Sequence, residues 1–363
     1  MQVILIPLLL AASAVAAAQS SEPAQAPWQM QESGTTASLR GIDSVDGRVA
    51  WASGTGGTVL KTLDGGAHWT SCAIPDAASD GATLDFRGMQ AWDATTAIVM
   101  ASGPGDKSRL YKTTDGCKTW KLEFKNPDKD GFWDGLMSDM DDMLFVLGDP
   151  VRGNFVLFSQ VPGGKWLRGW NGHEIVAAPK EAAFAASNSV LIEGGKGSFC
   201  FVTGGSKTEI IQEIHGIDDK KGLYSDWSHT TLPLAVGESA GAFSIASVQL
   251  SGDSSHDVIV VVGGDYKRPV DSTGTAAFSS DWGSTWIASA TPPHGFRSAV
   301  QWSEALKVWI TVGTNGSDIS RDDGKTWKPI DDGNWNALSL PFAVGPNGRI
   351  ARLNPAALPH SMP

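Results

Sequence analysis

The chain has 363 residues, a formal net charge of −11 and only three cysteines. The acidic balance argues against a nucleic-acid partner, whose phosphates call for a basic surface. Three scattered cysteines exclude a disulfide framework and a cysteine metal cluster. At most one bridge can form, and Cys72 with Cys117 is the pairing to test, although two buried free thiols are the expected state.

The chain opens MQVILIPLLLAASAVAAAQS, apolar from Val3 to about Ala17 with small residues at Ala16, Ala17 and Ala18. This is the pattern of a signal peptide with an A-x-A cleavage site, so 1–18 is expected to be removed and the mature chain to begin near Gln19. A periplasmic or secreted location follows. No later segment is long and apolar enough to span a bilayer. Residues 19–27 read as a short linker.

From Trp28 onward the sequence repeats. T62-L-D-G-G-A-H-W69, S279-S-D-W-G-S-T-W286 and S320-R-D-D-G-K-T-W327 share Ser or Thr, then Asp, Gly and Trp at fixed offsets. T113-T-D-G-C-K-T-W120 keeps all but the glycine, which is Cys117, and S159-Q-V-P-G-G-K-W166 has Val161 for the aspartate. The short hydroxyl and carboxylate can close a turn onto backbone N–H groups. Glycine supplies the positive φ, and the tryptophan carries a large ring into the core. Asp64, Trp69, Asp115, Trp120, Trp166, Asp281, Trp286, Asp322 and Trp327 are therefore expected to be structural.

Each turn ends a unit of short β-branched strands, as in VAWASGTGGTVLKTLDGGAHW and VWITVGTNGSDISRDDGKTW. A fourth unit, FCFVTGGSKTEIIQEIHG, leads to Trp227 through what reads as a lengthened, degenerate turn. The Trp-to-Trp intervals of 51, 46, 61, 59 and 41 residues suit four strands per unit, the arithmetic of a β-propeller blade. Six units end near Trp69, Trp120, Trp166, Trp227, Trp286 and Trp327. A seventh, NWNALSLPFAVGPNGRIARL, lacks its outer strand, which the segment from Trp28 to Glu32 can supply. The expectation is an all-β, seven-bladed β-propeller over 28–353, its ring closed by both termini, with 354–363 as a flexible tail.

One stretch points elsewhere. Gly237-Glu238-Ser239-Ala240-Gly241 fits G-x-S-x-G, the nucleophile elbow of serine esterases. An elbow needs a helix after the serine and a later histidine on an ordered loop. Here AFSIASVQL follows, alternating like a strand, and the late histidine is His360 in the tail. The match reads as an interblade loop.

The Ser/Thr-x-Asp-x-Gly-x-Thr-Trp turns resemble Asp-box, or bacterial neuraminidase, repeats. With GTGGTVLKTLDGGAHW, FWDGLMSDMDDMLFVLGDPVRGNF, FAASNSVL, GAFSIA, VVGGDYKRP, GFRSAVQW and GPNGRIARL in this order, residues 28–353 resemble the family related to the photosystem II stability and assembly factor. The resemblance implies a propeller that binds another protein without chemistry. Exported relatives outside photosynthesis are often described as oxidoreductases. This chain has no dinucleotide fingerprint, metal cluster or paired cysteines for that, and no cofactor or metal is expected.

In a propeller the Ser/Thr-x-Asp turns join the outer strands on one face. The Gly-rich loops and the starts of the blades surround the channel mouth on the other, where ligands are expected. Arg40, Arg87, Asp134, Arg297 and Asn336 start blades, and the Gly-rich loops add Asp149, Arg152, Asp265, Tyr266, Lys267, Arg268, Asp318 and Arg349. Three arginines at one level suit an anionic group of a protein or peptide partner. The plainer reading is that they pair with Asp134, Asp149 or Asp265 and lock neighbouring blades. The alternative function is glycan-directed: a sialidase-like glycoside hydrolase, which needs three converging arginines and an activated tyrosine, or a lectin stacking sugars on Trp133 and Trp302. Of the tyrosines, only Tyr266 is on the expected face. GGKGS at 194–198 lacks phosphate-loop spacing, and DMDD at 139–142 reads as a solvated turn rather than a calcium site.

Overall fold

A computed structural model describes residues 26–74, 84–169, 173–194, 198–218, 222–249 and 257–359; the expected signal peptide, the end of the tail and His360 lie outside them. The strands form seven antiparallel sheets arranged as the seven blades of a propeller, with no α-helix among the described residues. The first blade is typical: Leu39–Ser44 innermost, then Ala50–Gly54, Val59–Thr62 and Thr70–Ser71. The second and sixth repeat it with Phe86–Ala91 to Lys121–Lys125 and Ala299–Ser303 to Lys328–Asp331.

The second strands, such as Ala97–Ala101 and Val308–Gly313, are buried along their whole length. Each is covered on both faces by neighbouring blades, which is why these strands read as continuous apolar runs rather than alternating ones. The core is accordingly a chain of clusters between blades. Trp51 and Phe86 join the first and second, Met100 and Trp133 the second and third, and Val260 and Trp309 the fifth and sixth. Leu39 and Phe342 join the first to the seventh.

Ring closure follows the expectation. Trp28–Met30 pairs antiparallel with Ile350–Leu353, Trp28 opposite Leu353, and becomes the outer strand of the seventh blade. Trp28 is buried, lies 5.4 Å from Trp335 between ring centroids, and donates Nε1–H to Ser317 Oγ at 2.9 Å. Residues 354–359 differ from a flexible tail. Pro355–Ala357 form a short 3-10 turn, Leu358 is buried, and Asn354 donates its N–H to Pro27 O at 2.8 Å.

The Ser/Thr-x-Asp turns share one hydrogen-bond pattern. In the fifth blade Ser279 Oγ donates to Asp281 Oδ1 at 2.8 Å and accepts Gly283 N–H at 2.8 Å. Asp281 then accepts Thr285 N–H on Oδ1 and the Thr285 hydroxyl on Oδ2, at 2.8 and 2.6 Å. Asp322 repeats this with Ser320, Gly324 and Thr326. In the second blade the Thr119 hydroxyl and amide hold the Asp115 carboxyl down at about 2, so that turn stays ionised far into acid. Asp322→Ala should lower stability by about 1–3 kcal/mol, the order of lost hydrogen bonds to a charged acceptor. Urea melts of the two proteins check this.

Two features depart from the sequence reading. In the fourth blade the strands are lengthened; the turn that joins them lies outside the described residues. Glu209–Asp218 and Gly222–Thr231 form a long hairpin, with Trp227 opposite Glu213 in mid-strand. The thiols also differ. Cys72 and Cys117 form a disulfide between the first and second blades with Cα atoms 5.5 Å apart. Cys117 stands where the other turns have glycine and keeps the positive backbone angle, φ 67°, which brings its side chain onto the neighbouring blade. Cys200 is the buried free thiol, pushed up to about 12 by burial.

Candidate functional site

The innermost strands carry a β-bulge at a recurrent step. Pairing shifts between Leu39 and Gly41, Phe86 and Gly88, Trp133 and Gly135, and Ala242 and Ser244. The residue skipped each time is Arg40, Arg87, Asp134 or Phe243. A bulge re-aims the side chain that it leaves unpaired, and all four line one chamber at the channel mouth. Glycine follows three of them because the backbone is approached closely there. A Cβ at Gly41 would lie 2.6 Å from Ser53 Oγ, and one at Gly135 2.8 Å from Val190 Cγ1.

Ser298 and Asn336 stand at the same step in the sixth and seventh blades. They donate N–H to Val312 O and Val344 O, the partners of the following residues Ala299 and Ala337. At this step six blades each send one side chain into the chamber.

The fourth blade supplies a floor instead. Segment 183–189 crosses the channel and is bonded to blades around it. Ala185 O accepts from Arg87 Nη1 at 3.1 Å, and Asn188 bridges Met89 O and Leu136 N–H. Ser187 Oγ donates to Ser298 O at 2.6 Å, and Phe184 stacks on Phe243 at 4.0 Å. Above the floor the chamber encloses about 550 Å³. Below it, a second cavity of about 320 Å³ opens among Asp43, Gln90, Gln301 and Ser339.

The upper chamber has two unlike walls. On one side Arg40 and Arg87 flank Asp85, at 3.2 Å from Oδ1 and 2.8 Å from Oδ2. Arg40 Nε is poorly aligned for a hydrogen bond, and neither it nor Asp85 Oδ1 has a hydrogen-bond partner among the described residues. Two guanidinium groups share one carboxylate there, which leaves donors for a guest. Opposite stand Phe184, Phe243, Phe296 and Tyr266; Phe243 meets Phe296 edge-on at 4.8 Å. Asp134 and Asp149 line the chamber on the arginine side, next to Arg87. Burial, then the Asp149 charge, raises Asp134 well above the usual carboxylate range, while Arg87 opposes this. Burial pushes Asp149 up to about 6.

Of the residues singled out in the sequence, Arg40, Arg87, Asp134, Asp149, Tyr266 and Asn336 meet in this chamber. Others do not. Arg297 is fully buried, bonded to Asp318 Oδ2 through Nε at 2.6 Å and through Nη2, and to Phe296 O and Asn315 Oδ1. Its FRSAV context looks like FRGMQ, but the chamber position is Ser298, one residue on. In an extended segment one residue reverses the side chain. Its partner is Asp318, which lies in strand Gly316–Ser320 rather than a loop.

Asp265 binds Ser239 Oγ, Lys267 N–H and Arg268 Nε within its own corner of the fifth blade. Arg268 also pairs with Asp271. Arg152 lines a separate cleft beside Asp128 and His173, and Arg349 stacks on Trp335. The G-x-S-x-G match is not a loop. It starts strand Gly237–Gln249, so no helix follows Ser239. Trp133 is sealed against Phe124 and cannot stack on a sugar, while Trp302 packs on Trp309. The three arginines a sialidase-like site requires do not converge. Asp139 caps the hairpin turn at 139–142 through Asp141 and Met143 N–H, and no group of three potential metal ligands occurs among the described residues.

Sequence reasoning missed Asp85, Ser298, the phenylalanine wall and the floor. A usable signal was present: LRG, FRG and WDG mark the bulge, and Phe132 and Phe296 precede two blade starts in the same way.

Fold and site together define a seven-bladed propeller with a floored, arginine- and phenylalanine-lined chamber at one channel mouth. No protein-family model matches the chain, and no curated protein matches it. Among solved structures it is similar to YCF48 from Cyanidioschyzon merolae, with 17% identity over 91% of this chain and 100% of that one and a TM-score of 0.60. It is also similar to a YCF48 bound to D1 peptide, with 15% identity, 91% and 95% coverage, and a TM-score of 0.58. At such identities the likeness is one of fold.

Proposed function

We propose that the protein is an exported, non-catalytic binding and assembly scaffold that holds a protein or peptide partner in the channel-mouth chamber, opposite the Ser/Thr-x-Asp turns. The observation that carries this reading is the Arg40–Asp85–Arg87 group. It presents unused guanidinium donors across about 550 Å³ from a phenylalanine wall. Guanidinium forks suit carboxylates, and an aromatic wall suits an adjoining apolar side chain. A peptide carries both. One of the similar structures is a complex with a peptide, which supports a guest of this class.

The test is an array of short peptides that vary in free carboxylates and aromatic residues. Wild type should select peptides combining the two. Arg40→Ala should weaken capture by about 1–3 kcal/mol, the range of a charge-assisted hydrogen bond, with an unchanged melting temperature. Selection independent of acidic groups, or equal capture by both proteins, would refute the reading.

A further inference from the structure

The chamber contains a buried carboxyl group that its resting architecture leaves incomplete. Asp134 is 2% exposed, and its Oδ2 has no hydrogen-bond partner among the described residues. A buried carboxyl atom in this state costs stability unless something completes it. It sits in the wall that holds Arg40, Arg87 and Asp149.

We propose that Asp134 takes up a proton as an anionic guest binds and donates it as a hydrogen bond to the guest's anionic group, forming a third arm beside Arg40 and Arg87. This inference rests on the chamber being the binding site. It makes capture proton-linked: an anionic guest enters together with one proton, taken from solvent onto the pair.

The surroundings favour this arrangement. Asp134 is raised by burial and by the Asp149 charge, so two neighbouring carboxylates do not both ionise freely; their titration belongs to the pair. Asp149 is the less buried member, and its Oδ1 accepts Ala183 N–H at 3.1 Å from the floor. The charged groups facing the pair are Arg87 from the second blade, with Arg40 and Asp85 beyond it. From the floor, Glu181 is turned onto Thr203 Oγ1 at 2.6 Å and Ala178 N–H at 2.8 Å. Tyr266 stands on the opposite side.

With no proton on the pair, the carboxylates of Asp85, Asp134 and Asp149 outnumber the guanidinium groups of Arg40 and Arg87 by one; a proton on Asp134 brings the two charges level. An incoming anion therefore raises the pair's affinity for its proton, and by linkage the proton raises affinity for the anion. A neutral aspartate acting as donor to an anionic oxygen is chemically sound where burial keeps it protonated.

The probe is N-acetylphenylalanine, whose carboxylate stays ionised from pH 5 to 8 and whose ring matches the phenylalanine wall. Calorimetry in buffers of different ionisation enthalpy should find up to one proton taken up per probe over the pH range in which affinity falls. Wild-type affinity should fall by up to about tenfold per pH unit as rising pH strips the proton from Asp134, and level off below that range. Asp134→Asn supplies a permanent N–H donor and should bind with a flat profile near the wild-type value at pH 5. Asp149→Asn, which removes the charge that helps hold the proton on Asp134, should move the fall in affinity to lower pH even if the first variant folds poorly. A flat wild-type profile without proton uptake, with Arg40→Ala still weakening the probe, would overturn this inference and leave the binding site standing. No binding at any pH would overturn both.

Discussion

Arg297→Ala is expected to destabilise the protein by about 3–5 kcal/mol, the cost of removing one member of a buried ion pair. The penalty arises mainly in what remains. Asp318 is fully buried and bonded to Arg297, and deleting the guanidinium leaves its carboxylate buried with only the His294 contact to offset the charge. His294, which meets Asp318 at 2.8 Å through Nδ1, and Asn315, which meets Arg297, lose order with it. Because the pair is sealed, added salt should change the loss little, whereas an exposed pair would be screened. Thermal unfolding at two ionic strengths measures both. A loss below about 1 kcal/mol would mean that Arg297 is solvent-accessible and free to bind.

The second large effect is expected at the ring closure. Trp28→Ala should cost about 3–5 kcal/mol, as for other large-to-small changes in a core. Trp28 is the apolar anchor of the strand of the seventh blade that comes from the other end of the chain. Its loss removes the packing on Trp335 and the bond to Ser317 Oγ. Unlike an interior cavity, this change should also expose the N-terminal strand, so limited proteolysis should cut near residue 30 in the variant and not in wild type. Normal stability with an uncut terminus would contradict closure by this strand.

The turns and the ring were legible because their determinants are local and repeated. A hydroxyl, a carboxylate, a glycine and a tryptophan at fixed offsets specify one hydrogen-bonded turn wherever they occur. The chamber was half legible. Arg40, Arg87 and Asp134 each precede a glycine that permits close packing, and that pattern marks the bulge. Arg297 precedes Ser298, and there a one-residue difference in step reverses the side chain, which residue similarity alone does not reveal.

Other features depend on distant parts of the chain. Segment 183–189 becomes a floor only because blades on several sides of the channel offer it partners, and nothing in FAASNSVL specifies them. The disulfide required Cys117 to adopt the backbone angle of the glycine that it replaces, which places its sulfur on the first blade. Phe243 and Phe296 read as ordinary core residues until the bulge and the channel place them opposite the arginines.

The central claim is that a guest occupies the floored chamber at the arginine-bearing mouth. Amide hydrogen exchange of the protein alone and saturated with an array-selected acidic, aromatic peptide tests it most directly. Protection is expected at 40–41, 85–88, 132–135 and 183–186, with the turns at 62–69, 279–286 and 320–327 unchanged. Protection confined to those turns, or to the outer strands of the blades, would contradict it.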